Sequence, residues 1–182
     1  MATSILIRLG GLVTMVGSAA FALVLLLSPA LGNLRAEAVI GPMFLLLFVV
    51  VGVGVAAIAT LLRRTRYTKL AGLASIGSLV GLVLMVVGLL TIQEFVGLIP
   101  MFFGLLVLIV ALVVLGVLSV VTNVLRWWGS VALVTGPLFL FFAVFGTLLP
   151  PMHWLIGVPW IAVGLAVFLA AGRRTEQPSR VR

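Results

Sequence analysis

"GPMFLLLFVVVGVGVAAIATLLRR", residues 41–64, continues without a charge as far as Leu62 and then stops at a pair of arginines. A helix needs about 20 apolar residues to cross the hydrocarbon core of a bilayer. This stretch therefore reads as one transmembrane helix closed by a basic turn in water. Similar uncharged runs lie on both sides of it. Together they cover residues 9–31, 39–62, 70–92, 95–121, 129–149 and 154–172. Backbone groups in lipid must be satisfied within their own segment or a closed barrel. The alternating ten-residue pattern of a barrel strand is missing, so the runs are read as helices. The chain is 64% hydrophobic and 8% charged, against about 25% charged in a soluble domain. The expected fold is all-α: a polytopic six-helix transmembrane bundle in one domain, 1–172, followed by a basic, disordered tail, 173–182.

Charge placement sets the expected orientation. If six helices alternate, one side receives Arg8, Arg63, Arg64, Arg66, Lys69, Arg126, Arg173, Arg174, Arg180 and Arg182, and the other receives only Arg35. Basic residues in short loops stay on the cytoplasmic side, so both termini are expected to be cytoplasmic. This accounts for the net charge of +8 topologically, with no nucleic-acid partner. The basic loop and tail, with Arg63, Arg64, Arg66, Lys69, Arg173 and Arg174, are expected to attract anionic lipid head groups at about 1 kcal/mol per residue near the surface. Trp127, Trp128 and Trp154 fall at run ends, the depth that amphipathic rings favour. The small residues of "SPALGN" (28–33) suggest a signal-peptide cleavage site. The first run exceeds the usual 7–15 apolar residues of such a signal, roughly speaking, so it is expected to remain a helix. The chain has no Cys, which excludes disulfides, Cys-ligated zinc, Fe–S clusters and thiol catalysis. Together with the compact loops, this suits a prokaryotic plasma membrane.

The opening phrase recurs. "FVGLIPMFFG" (95–104) and "LIGVPWIAVG" (155–164) repeat the Gly…Pro start of "AVIGPMFLLL" (38–47). Pro42, Pro100 and Pro159 are 58 and 59 residues apart, and Arg8, Lys69 and Arg126 precede the odd runs at spacings of 61 and 57. Similarity at a fixed period marks a repeat architecture. The unit is a hairpin, giving 9–62, 70–121 and 129–172 as three tandem copies in parallel orientation. The competing reading is chance similarity in apolar text. Proline suits the first turn of a helix, where its missing N–H costs nothing, so the three prolines are expected to start the inward-going helices.

The chemistry on offer is sparse. Glu37, Glu94 and His153 precede the three prolines by five, six and six residues. Two carboxylates and an imidazole form a candidate set of Zn²⁺, Mn²⁺ or Fe²⁺ ligands. The simpler reading is preferred: acids near helix N-termini interact favourably with the macrodipole, and His153 is an interfacial residue. The runs contain no Asp, Glu, Lys, Arg or His to relay protons or balance an ion. Thr14, Ser18, Thr60, Ser75, Ser78, Ser119, Ser130 and Thr135 are read as bonding their own helices or easing packing. Gly77 and Gly81 make a GxxxG close-approach motif. Gly81/Gly88, Gly97/Gly104 and Gly157/Gly164 repeat at seven residues, which returns to nearly the same helix face. These glycines are read as helix-packing positions. The expectation is a non-enzymatic structural or accessory membrane protein without a cofactor. Its candidate partners are lipid, another membrane protein or a second copy. A small channel or facilitator for a neutral or apolar solute is the alternative, and an outer-face metal enzyme comes last.

Single cysteines can be placed in this Cys-free chain at will. Arg64→Cys and Arg174→Cys are expected to resist an impermeant reagent added to intact cells, and Glu94→Cys to react. Labelling from outside at 64 or 174 contradicts the orientation.

Overall fold

The computed structural model describes residues 2–27, 33–63, 65–91, 97–144 and 150–175. Every regular element among them is helical. The order is α1 (Ala2–Leu27), α2 (Asn33–Leu62), α3 (Thr68–Leu90), α4 (Leu98–Val121), α5 (Trp127–Val144) and α6 (Gly157–Thr175), with a 3-10 segment, Pro150–Ile156, leading into α6. Five of the helices are long and apolar enough to span a membrane. The sixth, α5, has 18 residues with Pro137 inside, or about 27 Å of helix. Large apolar side chains such as Leu6, Leu73, Val83 and Val110 stand on the outside, as expected where the surrounding solvent is lipid.

Several boundaries differ from the apolar runs. Helix α1 starts at Ala2 and carries Arg8 within it. A Cβ on Gly172 would lie 3.3 Å from Arg8 Nη2, so the guanidinium rests at the C-terminal end of α6. That end of a helix dipole favours a cation. Helix α6 runs on to Thr175, so Arg173 and Arg174 belong to its last turn, and the proposed tail lies, from residue 176, outside the described residues. Pro100 and Pro159 stand third in α4 and α6, where no helical N–H is needed. Pro42 does not start its helix: α2 begins nine residues earlier, at Asn33. A proline inside a helix removes the donor that would serve the carbonyl four residues back and crowds that carbonyl with its ring, an interruption that membrane helices tolerate through their neighbours and local adjustment.

Backbone contacts at small residues set the packing. On α1 and α6, Gly11 opposes Gly164 and Ser18 opposes Gly157. A Cβ on Gly11 would lie 2.6 Å from the Phe168 nitrogen, and one on Gly157 would lie 2.8 Å from the Ser18 carbonyl oxygen. On α3 and α4, Gly81 opposes Gly104 and Gly88 opposes Gly97. Cβ atoms there would lie 2.7 Å from the Gly104 oxygen and 2.6 Å from the Gly97 oxygen. Each seam is antiparallel and steps by seven residues on both sides. These are the two most extensive helix–helix interfaces.

Looser seams complete the circuit. Gly10 faces Ala57 and Gly17 faces Val50 between α1 and α2, Gly116 faces Val134 between α4 and α5, and Gly129 and Gly136 face Ala166 and Trp160 between α5 and α6. Helix α2 touches α3, α4 and α6 as well as α1. The helices therefore alternate in direction and close into a ring, with α6 returning to α1. The even helices lie deeper: 56%, 50% and 56% of their membrane-length windows are buried in α2, α4 and α6, against 33% and 39% in α1 and α3. A seven-residue glycine pair faces the following helix from each odd helix. It begins two residues after Arg8 and three after Arg126, but twelve after Lys69.

The turn after α4 is fixed by one residue. Asn123 has φ 51°. Its N–H donates to the Val120 oxygen at 3.0 Å, and the Val124 N–H donates to the Ser119 oxygen at 3.1 Å. This is the paired bonding of a Schellman cap, in which Asn substitutes for the commoner Gly.

Gly164→Ala and Gly81→Ala each press a methyl group onto a neighbouring backbone. Each is expected to lower stability by about 1–3 kcal/mol in detergent unfolding assays. Gly72→Ala meets nothing within 4 Å and is expected to leave stability unchanged or raise it. Equal losses at all three positions contradict the seam assignment.

Candidate functional site

The predicted trio is only partly described. Glu94 lies outside the described residues. Glu37 lies on α2, but its side chain is likewise outside the description. His153 sits in the 3-10 segment, half-buried, with its ring 6.4 Å from Phe44 in an edge-on arrangement. Among the described residues no three His, Asp or Glu side chains come together.

The interior holds hydroxyls and one indole. Ser75 and Ser78 donate to the carbonyls of Ala71 and Ala74 at 2.7 and 2.9 Å; on the outer side of α2, Thr60 donates to Ala56 at 2.8 Å. These bonds stay within one helix, as is usual for Ser and Thr in lipid. Thr135 likewise reaches back to Ala132 at 3.2 Å. Thr14 reaches further: its hydroxyl lies 2.8 Å from the Gly10 oxygen and 3.4 Å from the Val50 oxygen on α2. Gly54 opposite leaves it room, since a Cβ there would lie 3.0 Å from the Thr14 hydroxyl. The hydroxyls of Ser18, Ser119 and Ser130 and the Nε1 of Trp160 are buried without a hydrogen-bond partner. Trp160 is 1% exposed and lies against Gly136, where a Cβ would be 2.9 Å from its ring. Unlike Trp127, Trp128 and Trp154, which are expected at the interfaces, Trp160 is a core residue. Its signal was the small residue at 136, which makes space for a ring on α6.

The basic end is built by a short, tied turn between α2 and α3. Thr65 and Thr68 hold it. The Thr65 hydroxyl donates to the Leu62 oxygen at 2.8 Å, and the Thr68 hydroxyl reaches the Arg63 and Thr65 oxygens at 2.8 and 2.7 Å. The turn presents Arg63, Arg66 and Lys69 to solvent. Arg66 rests 4.7 Å above the Tyr67 ring, a cation–π contact. Arg173, at the end of α6, is exposed at the same end of the bundle. Arg64 and the Arg174 side chain lie outside the described residues.

Two grooves open sideways toward lipid. One, of about 390 Å³, lies between α3 and α4, with Gly77 and Ala111 at its base and Leu73, Leu106, Val110 and Val114 along its walls. The other, of about 440 Å³, lies between α1 and α2 near the basic end. Of the glycines singled out in the sequence, Gly81, Gly88, Gly97 and Gly104 are consumed in the α3/α4 seam, and Gly157 and Gly164 in the α1/α6 seam. Gly77 is different. A Cβ there would make ordinary contact with the Ala111 methyl, at 3.5 Å, and press on no backbone, so the two helices stand further apart here than at Gly81. The α1 partners are Gly11 and Ser18; Ser18 is expected to bond its own helix or ease packing, and it is the packing role that the seam shows.

Comparisons with protein families, with curated proteins and with solved structures found no match.

Proposed function

We propose that this chain is a non-enzymatic accessory protein of the membrane, a self-packed six-helix scaffold that docks a transmembrane helix of a partner protein. The observation that carries this reading is the α3/α4 groove. Its walls are apolar, and its base of Gly77 and Ala111 lets another backbone approach closely. Close approach is the main source of helix association in lipid, which supplies no hydrophobic drive of its own. The reading takes α5 as a sixth span and keeps both termini cytoplasmic, in line with the charge asymmetry. It also takes the three hairpins as parallel copies. The seven-residue glycine pair on each odd helix supports that relation.

A facilitator for a neutral solute is the second reading, favoured by the unpartnered Ser18, Ser119, Ser130 and Trp160 atoms in the interior. The accessory reading treats this interior as dry.

A photo-crosslinking residue separates the two. Leu73 and Val110 border the groove and are 67% and 64% exposed, whereas Leu23 on α1 is 56% exposed but remote from it. In the protein's native membrane, crosslinkers at 73 and 110 are expected to give one discrete protein adduct, and at 23 none. A variant with Trp160 as its sole tryptophan is expected to show blue-shifted emission that acrylamide does not quench. Lipid adducts alone at 73 and 110 contradict the docking reading. Quenching of Trp160 together with glycerol flux into proteoliposomes establishes the facilitator instead.

A further inference from the structure

The groove between α1 and α2 differs in chemistry from the one between α3 and α4. Its floor is small: Gly10 and Ala57 meet there, with 3.0 Å between the Ala57 methyl and a Cβ on Gly10. Ala56, exposed beside them, leaves the trough open to lipid. Its far end is closed by Val53, and its near end carries Thr3 and Arg63. From residue 3 to residue 10 it runs about 10 Å along α1, against about 15 Å for the hydrocarbon of one leaflet. The trough is thus apolar in its depth and cationic at its mouth.

Three features fix the charge of what sits at that mouth. The segment 63–69 contains Arg63, Arg64, Arg66 and Lys69 and no acid. Arg66 is engaged with the Tyr67 ring, whereas Arg63 lines the groove. The first turn of α1 reaches the same mouth through Thr3, and the positive end of a helix dipole favours phosphate. The Thr60 hydroxyl donates to its own helix and does not compete for the ligand's acceptors.

We propose that this groove is a binding site for one anionic glycerophospholipid, with an acyl chain lying in the Gly10/Ala57 trough and the head-group phosphate held by Arg63 and the first turn of α1. A zwitterionic choline head brings its quaternary ammonium against the same cations and is disfavoured. The site is separate from the α3/α4 groove, so its test leaves the docking reading untouched.

Native mass spectrometry of the full-length protein, incubated in micelles with phosphatidylglycerol or phosphatidylcholine of identical chains, reads the site directly. The expected result is one retained phosphatidylglycerol per chain and weaker retention of phosphatidylcholine. Arg63→Gln is expected to lower phosphatidylglycerol retention about fivefold, the equivalent of about 1 kcal/mol for one basic residue. Arg63→Glu is expected to reverse the preference, and Arg66→Gln to leave it unchanged. Ala56→Leu fills the trough from its exposed side and is expected to reduce retention of both lipids. Equal retention of the two lipids by the wild-type protein, or equal losses with Arg63→Gln and Arg66→Gln, overturns the proposal. So does unchanged retention in a folded Ala56→Leu variant. The exposed Arg63 variants decide the matter if Ala56→Leu does not fold.

Discussion

Helices in lipid gain little from burying apolar side chains against one another, because the lipid is as apolar as the core. What remains is contact itself, and contact is greatest where two backbones can approach. In this protein that approach occurs along two antiparallel seams, Gly11/Ser18 against Gly157/Gly164 and Gly81/Gly88 against Gly97/Gly104. The rest of the arrangement depends on them. The first seam brings the ends of the chain together and closes the ring of helices. The second makes the middle hairpin a rigid pair. With both in place, α2 and the other even helices are held toward the centre, and Trp160 is enclosed against Gly136.

The same packing leaves two grooves with small residues in their lining. Below Gly81, α3 and α4 stand further apart, with Gly77 and Ala111 lining the groove between them. Beside the Gly10–Ala57 contact, α1 and α2 leave a trough under Ala56. The chemistry of their rims distinguishes them. The first is bordered by Leu and Val and suits another helix. The second ends at Thr3 and Arg63 and suits a chain with an anionic head. Function is thus proposed for the outer faces of the bundle, while its interior serves cohesion.

The apolar runs were legible because a bilayer sets their length, and a run such as 41–62 has no other use. Their ends were less so. Arg8 suggested a boundary, but its guanidinium reaches the end of α6 and the helix continues through it. Pro42 resembled Pro100 and Pro159 in sequence yet sits inside α2, since nothing in the word "GP" reveals how far a helix extends upstream. Neighbour choice was hardest. When every face is apolar, the usual contrast between core and solvent faces is lost, and only small residues mark the contacts. The glycines of α3, α4 and α6 were visible on that basis, whereas the adjacent pairs "GG" (10–11) and "GS" (17–18) on α1 were not resolved into their two stripes, one for α2 and one for α6. Tying of the basic turn by Thr65 and Thr68 was also unread, because hydroxyl bonding depends on a turn geometry that composition does not specify.

The pairing of the first helix with the last is the feature that three self-contained hairpins would not require. It can be measured with one thiol crosslink in this Cys-free chain. A Cβ on Gly172 of α6 meets only the Arg8 guanidinium of α1, at 3.3 Å, so cysteines at the two positions press on no backbone. Treatment of an Arg8→Cys/Gly172→Cys double variant in the membrane with a short bis-maleimide is predicted to give an intramolecular crosslink in nearly every chain. Failure to crosslink, while a Gly77→Cys/Ala111→Cys variant across the middle hairpin does so, would contradict the closed ring and the account built on it.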